Sequence, residues 1–372
     1  MIEVYNEKIN CCGCSACYNI CPKNAISMID DEEGFSYPVI DENLCIDCGF
    51  CQNTCPLLKD DNCKNSQEPE FYVAKHKDID VLLSSTSGGA FTALSDIILN
   101  EGGVIYGVDF DAEFNIIHKR AHTHAQRNSM RFSKYAQSNL NSIFADIKRD
   151  LILGKKVLFT GTPCQTAGLK SFIGTGPISS NLYTCDLICH SIPSPLIWKE
   201  YRNLLEKEHN SKLEEVYFRT KNVAWCRENS NKGFTYKVQG DDNYYTDDRF
   251  YQLFFGEMTI MRPSCEHCPY TDIHRASDIT IADYWGIEKY SSEWYDSREV
   301  SVILVSTPKG RELLNKTSNE LSFEKRPKSE QLTEQKRLST PPVYPENRSL
   351  FWKDYRKFGF QYISDFLKEK YK

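Results

Sequence analysis

Residues 11–22 read CCGCSACYNICP, and residues 45–56 read CIDCGFCQNTCP. Cys11, Cys14, Cys17, Cys21 and Pro22 recur as Cys45, Cys48, Cys51, Cys55 and Pro56, each 34 residues later. A solenoid needs at least three copies of such a repeat. Two copies loaded with cysteine describe a small pseudo-symmetric domain instead. The spacing C-x2-C-x2-C-x3-C-P is that of a chain wrapped around an iron–sulfur cube. Three closely spaced cysteines hold one cube, and the fourth reaches the neighbouring one. One site is therefore expected on Cys11, Cys14, Cys17 and Cys55. A second is expected on Cys45, Cys48, Cys51 and Cys21. Zinc also takes four thiolates, but its sites pair two C-x2-C units rather than use one run of four.

Between the two runs, residues 25–28 and 37–40 read as short strands flanking a turn at 31–34. The stretch KDDNCKNSQEPE, residues 59–70, is polar, has no periodicity and reads as a linker. Charge divides at the same place. Residues 1–70 hold 13 acidic and 4 basic residues, and the rest of the chain holds 38 and 41. An acidic head argues against a nucleic-acid partner.

Beyond residue 70 the pattern alternates. Strands are expected at 71–75, 104–110, 156–160, 182–188, 213–219, 234–238, 244–245, 279–283 and 300–306. Helices are expected at 90–100, 143–153, 194–208, 308–318 and 350–371, with Ser194 and Pro195 as N-cap and first helical residue. The fold class is α+β: a small two-cluster domain over 1–60, a linker over 61–70, and a larger mixed α/β domain over 71–290. Residues 291–372 are expected to be a helical extension of that domain.

The chain has 372 residues and 16 cysteines. No apolar run approaches the ~18 residues that span a bilayer. The N-terminus lacks the basic-then-apolar pattern of a signal peptide. Metal binding in the cytoplasm is thus a better expectation for these cysteines than disulfides.

Four more cysteines sit in suggestive places. Cys164, in GTPCQ (161–165), follows one expected strand; Cys189-His190 follows another; Cys265 and Cys268 form a C-x2-C. If those strands are parallel neighbours, their carboxyl ends meet where ligands bind. Spacing alone leaves three readings open: a third cluster, a zinc site with His190 or His267, or buried apolar thiols.

Residues 1–60 resemble bacterial-type ferredoxins with two [4Fe-4S] clusters, which implies one-electron transfer. A second resemblance rests on SSTSGGAFTALSDIILNEGGVIYGVDF (84–110), RFSKYAQS (131–138), GTPCQ, Cys189-His190, and Cys265-x2-Cys268 followed by ADYWG (282–286). In this order they resemble the coenzyme F420 hydrogenase/dehydrogenase beta subunit family, which includes 7-hydroxymethyl chlorophyll a reductase. Over residues 71–290 the resemblance implies FAD and a [4Fe-4S] cluster held by Cys164, Cys189, Cys265 and Cys268. It departs at Ser191, where relatives often have glycine.

The flavin would lie on Ser87, Gly88, Gly89, Ser133, Lys134, Tyr135, Gln137, Ser138 and Thr162. Ser87-Gly88-Gly89 before a helix offers free N–H groups to a pyrophosphate, and Lys134 offers a cation, unless it is a solvated surface lysine. The function implied is an iron–sulfur flavoprotein oxidoreductase. Electrons from a one-electron carrier, such as a ferredoxin or a redox-enzyme subunit, would pass through clusters to FAD. From there they would reach a small organic acceptor: coenzyme F420, or in a bacterium another substrate linked to surface polysaccharide. The alternative is a non-catalytic electron-transfer subunit.

His118, His122 and His124 read as a solvated loop. Cys12, Cys63, Cys185 and Cys226 fit no spacing. Asp283 and Trp285 are expected to shape the cluster pocket.

Overall fold

The computed structural model describes residues 3–219, 221 and 234–370. The repeat in the sequence is a repeat in space. A short helix, Ala16–Ile20, has Ser15 as its N-cap in the left-handed region, and Phe50–Thr54 has Gly49 there likewise. The two helices start 34 residues apart, and Cys21 and Cys55 are their C-caps. Between them β1 (Ile26–Asp30) pairs antiparallel with β2 (Ser36–Ile40), from Ile26 opposite Ile40 to Asp30 opposite Ser36.

The larger part is built on an eight-stranded mixed sheet. Its strands are β3 (Glu70–His76), β4 (Val104–Phe110), β5 (Ile116–Ala121), β6 (Val157–Gly161), β7 (Leu182–Leu187) and, after a separate small sheet, three more. The small sheet holds β8 (Leu213–Tyr217), β9 (Thr235–Val238) and β10 (Tyr245–Thr246), all antiparallel. The last three strands of the large sheet are β11 (Ile279–Asp283), β12 (Ser301–Val305) and β13 (Leu321–Arg326). The order across the large sheet is β13-β3-β12-β11-β7-β6-β4-β5. Strands β4, β6, β7 and β11 run parallel to their neighbours within that group, and every pairing outside it is antiparallel. Strand β12 is buried at all five positions, the continuous apolar pattern of a strand covered on both faces.

Three expectations change. Residues 291–372 are not only helical, because beside the strand expected at 300–306, which is β12, they supply β13 to the main sheet. The turn-rich composition of 59–70 does not make a free linker. Asn65 donates from its side chain to Ser277 O, its N–H reaches Arg275 O, and Lys64 pairs with Asp272. His118 is not in a solvated loop. It lies in β5, buried, with Nε2 beside Thr160 O and Nδ1 beside Ser138 Oγ. His122 and His124 are exposed.

The ferredoxin-like head is docked on the body. Cys14 and Ala16 join a core with Phe144, Leu169 and Phe172 from the helices Ile143–Ile152 and Pro163–Ile173. Gly168 makes that approach possible, because a Cβ there would meet Cys14 Sγ at 2.8 Å. On the opposite side Arg348, at the start of the C-terminal helix, pairs with Glu33 and donates to Met261 O at 2.7 Å.

Charged hydrogen bonds at a half-buried seam of this kind contribute about 2 kcal/mol. Arg348→Ala is expected to lower stability by about that amount, read as a lower denaturant midpoint at unchanged slope.

Candidate metal centres

The cysteines gather into three sets. Cys11, Cys14, Cys17 and Cys55 line one pocket of about 340 Å³, part of it open to solvent, together with Cys12, Val4, Met28 and Pro38. Cys21, Cys45, Cys48 and Cys51 line a second, of about 350 Å³, with Ile26, Ile40, Ile46 and Phe50. In each pocket three cysteines come from one run and the fourth from the other, as the spacing predicts. The sets differ in setting. Cys14 and Cys17 are buried, whereas Cys48 is exposed and Ile46 and Phe50 stand at least half out in solvent.

The third set forms at the carboxyl edge of the sheet. Strands β6 and β7 pair in parallel from Val157 opposite Leu182 to Gly161 opposite Asp186. Their ends therefore lie side by side, which was the condition for Cys164 and Cys189 to meet. Cys164 sits in the first turn of the helix Pro163–Ile173, capped by a reciprocal Thr162–Gln165 capping box. Cys265 lies in a short 3-10 turn, and Cys268 ends it. Burial, then the neighbouring sulfurs of Cys265, Cys164 and Cys268, raise the Cys189 pKa. Cys268 is pushed up to about 12 by burial and by Cys164 and Cys265. Four half-buried cysteines whose sulfurs destabilise one another's charge suit a positively charged iron core, which needs them as thiolates. The donor set therefore fits a thiolate-ligated cluster. Among the described residues, no group of three or more His, Cys, Asp or Glu converges closely enough to hold a single metal ion.

Cys12 fits no spacing, yet it occupies a telling place. Its half-buried thiol neighbours both Cys14 of the first set and Cys164 of the third, and the Cys14 contact, with burial, holds its pKa well above the ordinary thiol value. The two sets are thus contiguous. Cys63 packs beside Cys164 and Cys268, Cys185 is buried in β7, and Cys226 lies outside the described residues.

The side chains expected at a flavin are mostly engaged with the protein. Gly88 donates its N–H to Ser301 Oγ at 2.9 Å. A Cβ there would meet Ala74 O and Ser301 N at 2.5 Å, so this glycine serves close packing against β3 and β12, not an open anion cradle. Ser87 Oγ bonds Val300 O, and Gly89 is the left-handed N-cap of the helix Ala90–Asn100. Ser133 N–H donates to Thr86 Oγ1. Lys134 is no solvated lysine: its Nζ donates to the carbonyls of Ser129, Arg131 and Phe132, and burial lowers its pKa to about 8. Gln137 reaches Cys12 O, Ser138 joins His118 and Gln165, and Thr162 Oγ1 lies 3.2 Å from Cys164 Sγ. Tyr135 is ringed by Phe218, Tyr251, Phe254 and Phe255. Gly88 and Lys134 do not fit the roles expected of them, so no step is derived through a flavin.

Sequence reasoning missed several residues. Arg219 pairs with Asp283 at 2.5 Å and with Glu299, and Lys221 joins Glu299 and Ser87 O. Asp283 thus belongs to a charged network, with Trp285 Nε1 3.3 Å from it. Arg262, three residues before Cys265, reaches back to the head. A basic residue three positions before a C-x2-C was its only trace in the sequence.

Two family models match separate stretches of the chain. Residues 154–331 match the family model for the C-terminal part of the coenzyme F420 hydrogenase/dehydrogenase beta subunit, and residues 10–57 match the 4Fe-4S dicluster domain. The first match begins later than residue 71 and continues beyond 290. It includes Cys164, Cys189, Cys265 and Cys268, but not the motifs at 84–110 and 131–138. An uncharacterized ferredoxin of Methanocaldococcus jannaschii is 36% identical over 55 residues, 15% of this chain and 70% of its own length. A chain in a xenon-derivatised structure of the F420-reducing [NiFe] hydrogenase complex from Methanosarcina barkeri aligns with a TM-score of 0.47 and 19% identity. The alignment covers 81% of this chain and 92% of that one.

Lys134 gives a test of the buried loop. The unfolded chain holds lysine near ~10.4, against about 8 in the fold. Between those values the unfolded state binds more protons, so this residue's contribution to stability rises with pH. Lys134→Met is expected to lose that rise between about pH 8 and pH 10, measured by denaturation across the range.

Proposed function

Starting from a chain that joins a 4Fe-4S dicluster domain to the C-terminal domain of the coenzyme F420 hydrogenase/dehydrogenase beta subunit family, we propose that it is an iron–sulfur oxidoreductase subunit with three four-iron sites. Four-iron clusters, when bound, exchange single electrons at potentials set by charge, hydrogen bonds and exposure. Cys21, Cys45, Cys48 and Cys51 hold the outer site. Cys11, Cys14, Cys17 and Cys55 hold the inner one, against the body. Cys164, Cys189, Cys265 and Cys268 hold the third. The observation that carries this reading is Cys12, whose thiol touches a ligand of the inner site and a ligand of the third. Packing of Cys14 against Gly168 keeps water out of that junction.

The partner is a one-electron carrier or a redox-enzyme subunit, and it docks over the outer site. Leu44, Ile46 and Phe50 stand at least half exposed there. Exposed Asp41, Glu42 and Asp47 border them in the chain, and among the described residues none of the three has an ion pair. An apolar patch beside unpaired acids suits a partner with a basic rim.

A second reading gives the body an organic two-electron acceptor, with FAD or another planar group beside the third site. An aromatic wall favours it. Phe254 and Phe255 contact both Tyr135 and His190, the residue after Cys189. His190 Nε2 is buried without a hydrogen-bond partner, and burial lowers its pKa to about 4. A buried, unpartnered imidazole nitrogen beside aromatic faces suits a planar ligand that carries a hydrogen-bonding group.

Anaerobic purification with iron, sulfide, zinc and flavin counting separates these readings. About twelve irons per chain is the expected result. About eight would remove the third site, and zinc in place of iron would remove the proposal. One FAD per chain would establish the second reading. Cys265→Ser with Cys268→Ser is expected to lower iron by about four while the head keeps its own.

A further inference from the structure

The two head sites come from one repeated motif, but the fold treats their sulfurs differently. Arg262 is 1% exposed. Its Nε donates to Cys11 O at 2.9 Å, Nη1 to Gln137 Oε1 at 2.8 Å, and Nη2 to Ser36 O at 3.1 Å and to Cys11 Sγ at 3.8 Å. The guanidinium lies over the Tyr37 ring, 4.4 Å from its centroid, and over Phe35. Among the described residues it has no carboxylate within ion-pair distance. A buried cation is costly unless an anion faces it. The candidate anions are sulfurs, Cys11 in the head and Cys265 three residues along its own chain. The outer site differs: its lining includes Lys23, but that side chain is exposed to solvent, and among the described residues no arginine or lysine donates a hydrogen bond to Cys21, Cys45, Cys48 or Cys51. There Ala25 N–H donates to Cys21 Sγ at 3.3 Å, and Cys45 Sγ lies 3.9 Å from the Asp47 carboxylate.

We propose that Arg262 raises the reduction potential of the inner head site, so that two sites of the same motif are electrically inequivalent and the inner one is tuned by the body. The proposal rests on the four-iron assignment above. A cluster held by four thiolates is anionic, and reduction adds a further negative charge. A fixed cation hydrogen-bonded to a ligand sulfur therefore stabilises the reduced form more than the oxidised one. Arg262 is a positioning and charge-setting residue, and it undergoes no reaction itself. Lysine cannot replace it fully, because one ammonium cannot span Cys11, Gln137 and Ser36 as a planar fork does. Its place in the C-x2-C segment means that the body, not the head, supplies the charge.

The test is an EPR-monitored redox titration of the anaerobically purified full chain, with iron counted on each sample. In Arg262→Gln one head midpoint is expected to fall while the other stays at its wild-type value. Arg262→Lys is expected to fall less. Two unchanged midpoints in iron-replete Arg262→Gln would overturn the proposal, since an arginine that only glued the parts together would alter stability and leave potentials alone. If Arg262→Gln does not load, wild-type protein labelled with 15N-arginine decides. An arginine-nitrogen coupling in the reduced head signal supports the proposal, and its absence overturns it. An iron count below about eight would instead strike the four-iron assignment itself, so the two failures are distinguishable.

Discussion

The parallel pairing of β6 with β7 is the constraint on which the rest depends. It sets the ends of two strands side by side, and it launches the helix Pro163–Ile173 from one of them. That helix then does two things. Its first turn carries Cys164 to the third set. One turn later, Gly168 offers a bare backbone against which Cys14 of the head can rest. The same short element thus supplies a ligand to the body site and a seat for the inner head site. A side chain at Gly168 would push the head outward and separate sites that now touch through Cys12.

Much of the head was legible because metal-ligand spacing is a local code. Offsets of three and four residues decide which sulfurs face one cube, and no long-range packing is needed to read them. Nine strands and five helices of the body followed from apolar periodicity to within a residue or two, but β5, β13 and the helix Pro163–Ile173 did not. What escaped has a physical reason in each case. Strand β13 is an edge strand, LSFEKR, with polar residues on its exposed face, and its pattern resembles a loop. His118 looked solvated among Lys119, Arg120 and His122, because alternation within so polar a strand hides which face is buried. Residues 59–70 had loop composition, and composition does not report docking.

The candidate site shows the same limit. Cys164, Cys189, Cys265 and Cys268 were visible as cysteines at strand ends, but their convergence depends on sheet order, which no local pattern encodes. Ser87-Gly88-Gly89 was read for its free N–H groups. A glycine before a helix serves equally well where two backbones must approach, and Gly88 against Ala74 O and Ser301 N is that second case. Arg262 was invisible for a related reason. Its meaning lies in Cys11 and Ser36, more than two hundred residues away in the chain.

Charge placement adds a further step. The head's excess of acid is not one uniform field. Asp31 and Glu32 are paired with Lys8, and Glu33 with Arg348. These pairs lie where the chain folds back or meets the body, so their field is largely cancelled at close range. Asp41, Glu42 and Asp47, around the outer site, remain exposed to solvent. The same segment therefore turns a neutralised face to the body and a negative face outward. A partner's basic rim would be drawn to the outer site, and the inner site is reached from the body side, where a buried cation waits. Repetition of the cysteine motif gave two similar cages, and the charges around them set one against solvent and the other against Arg262.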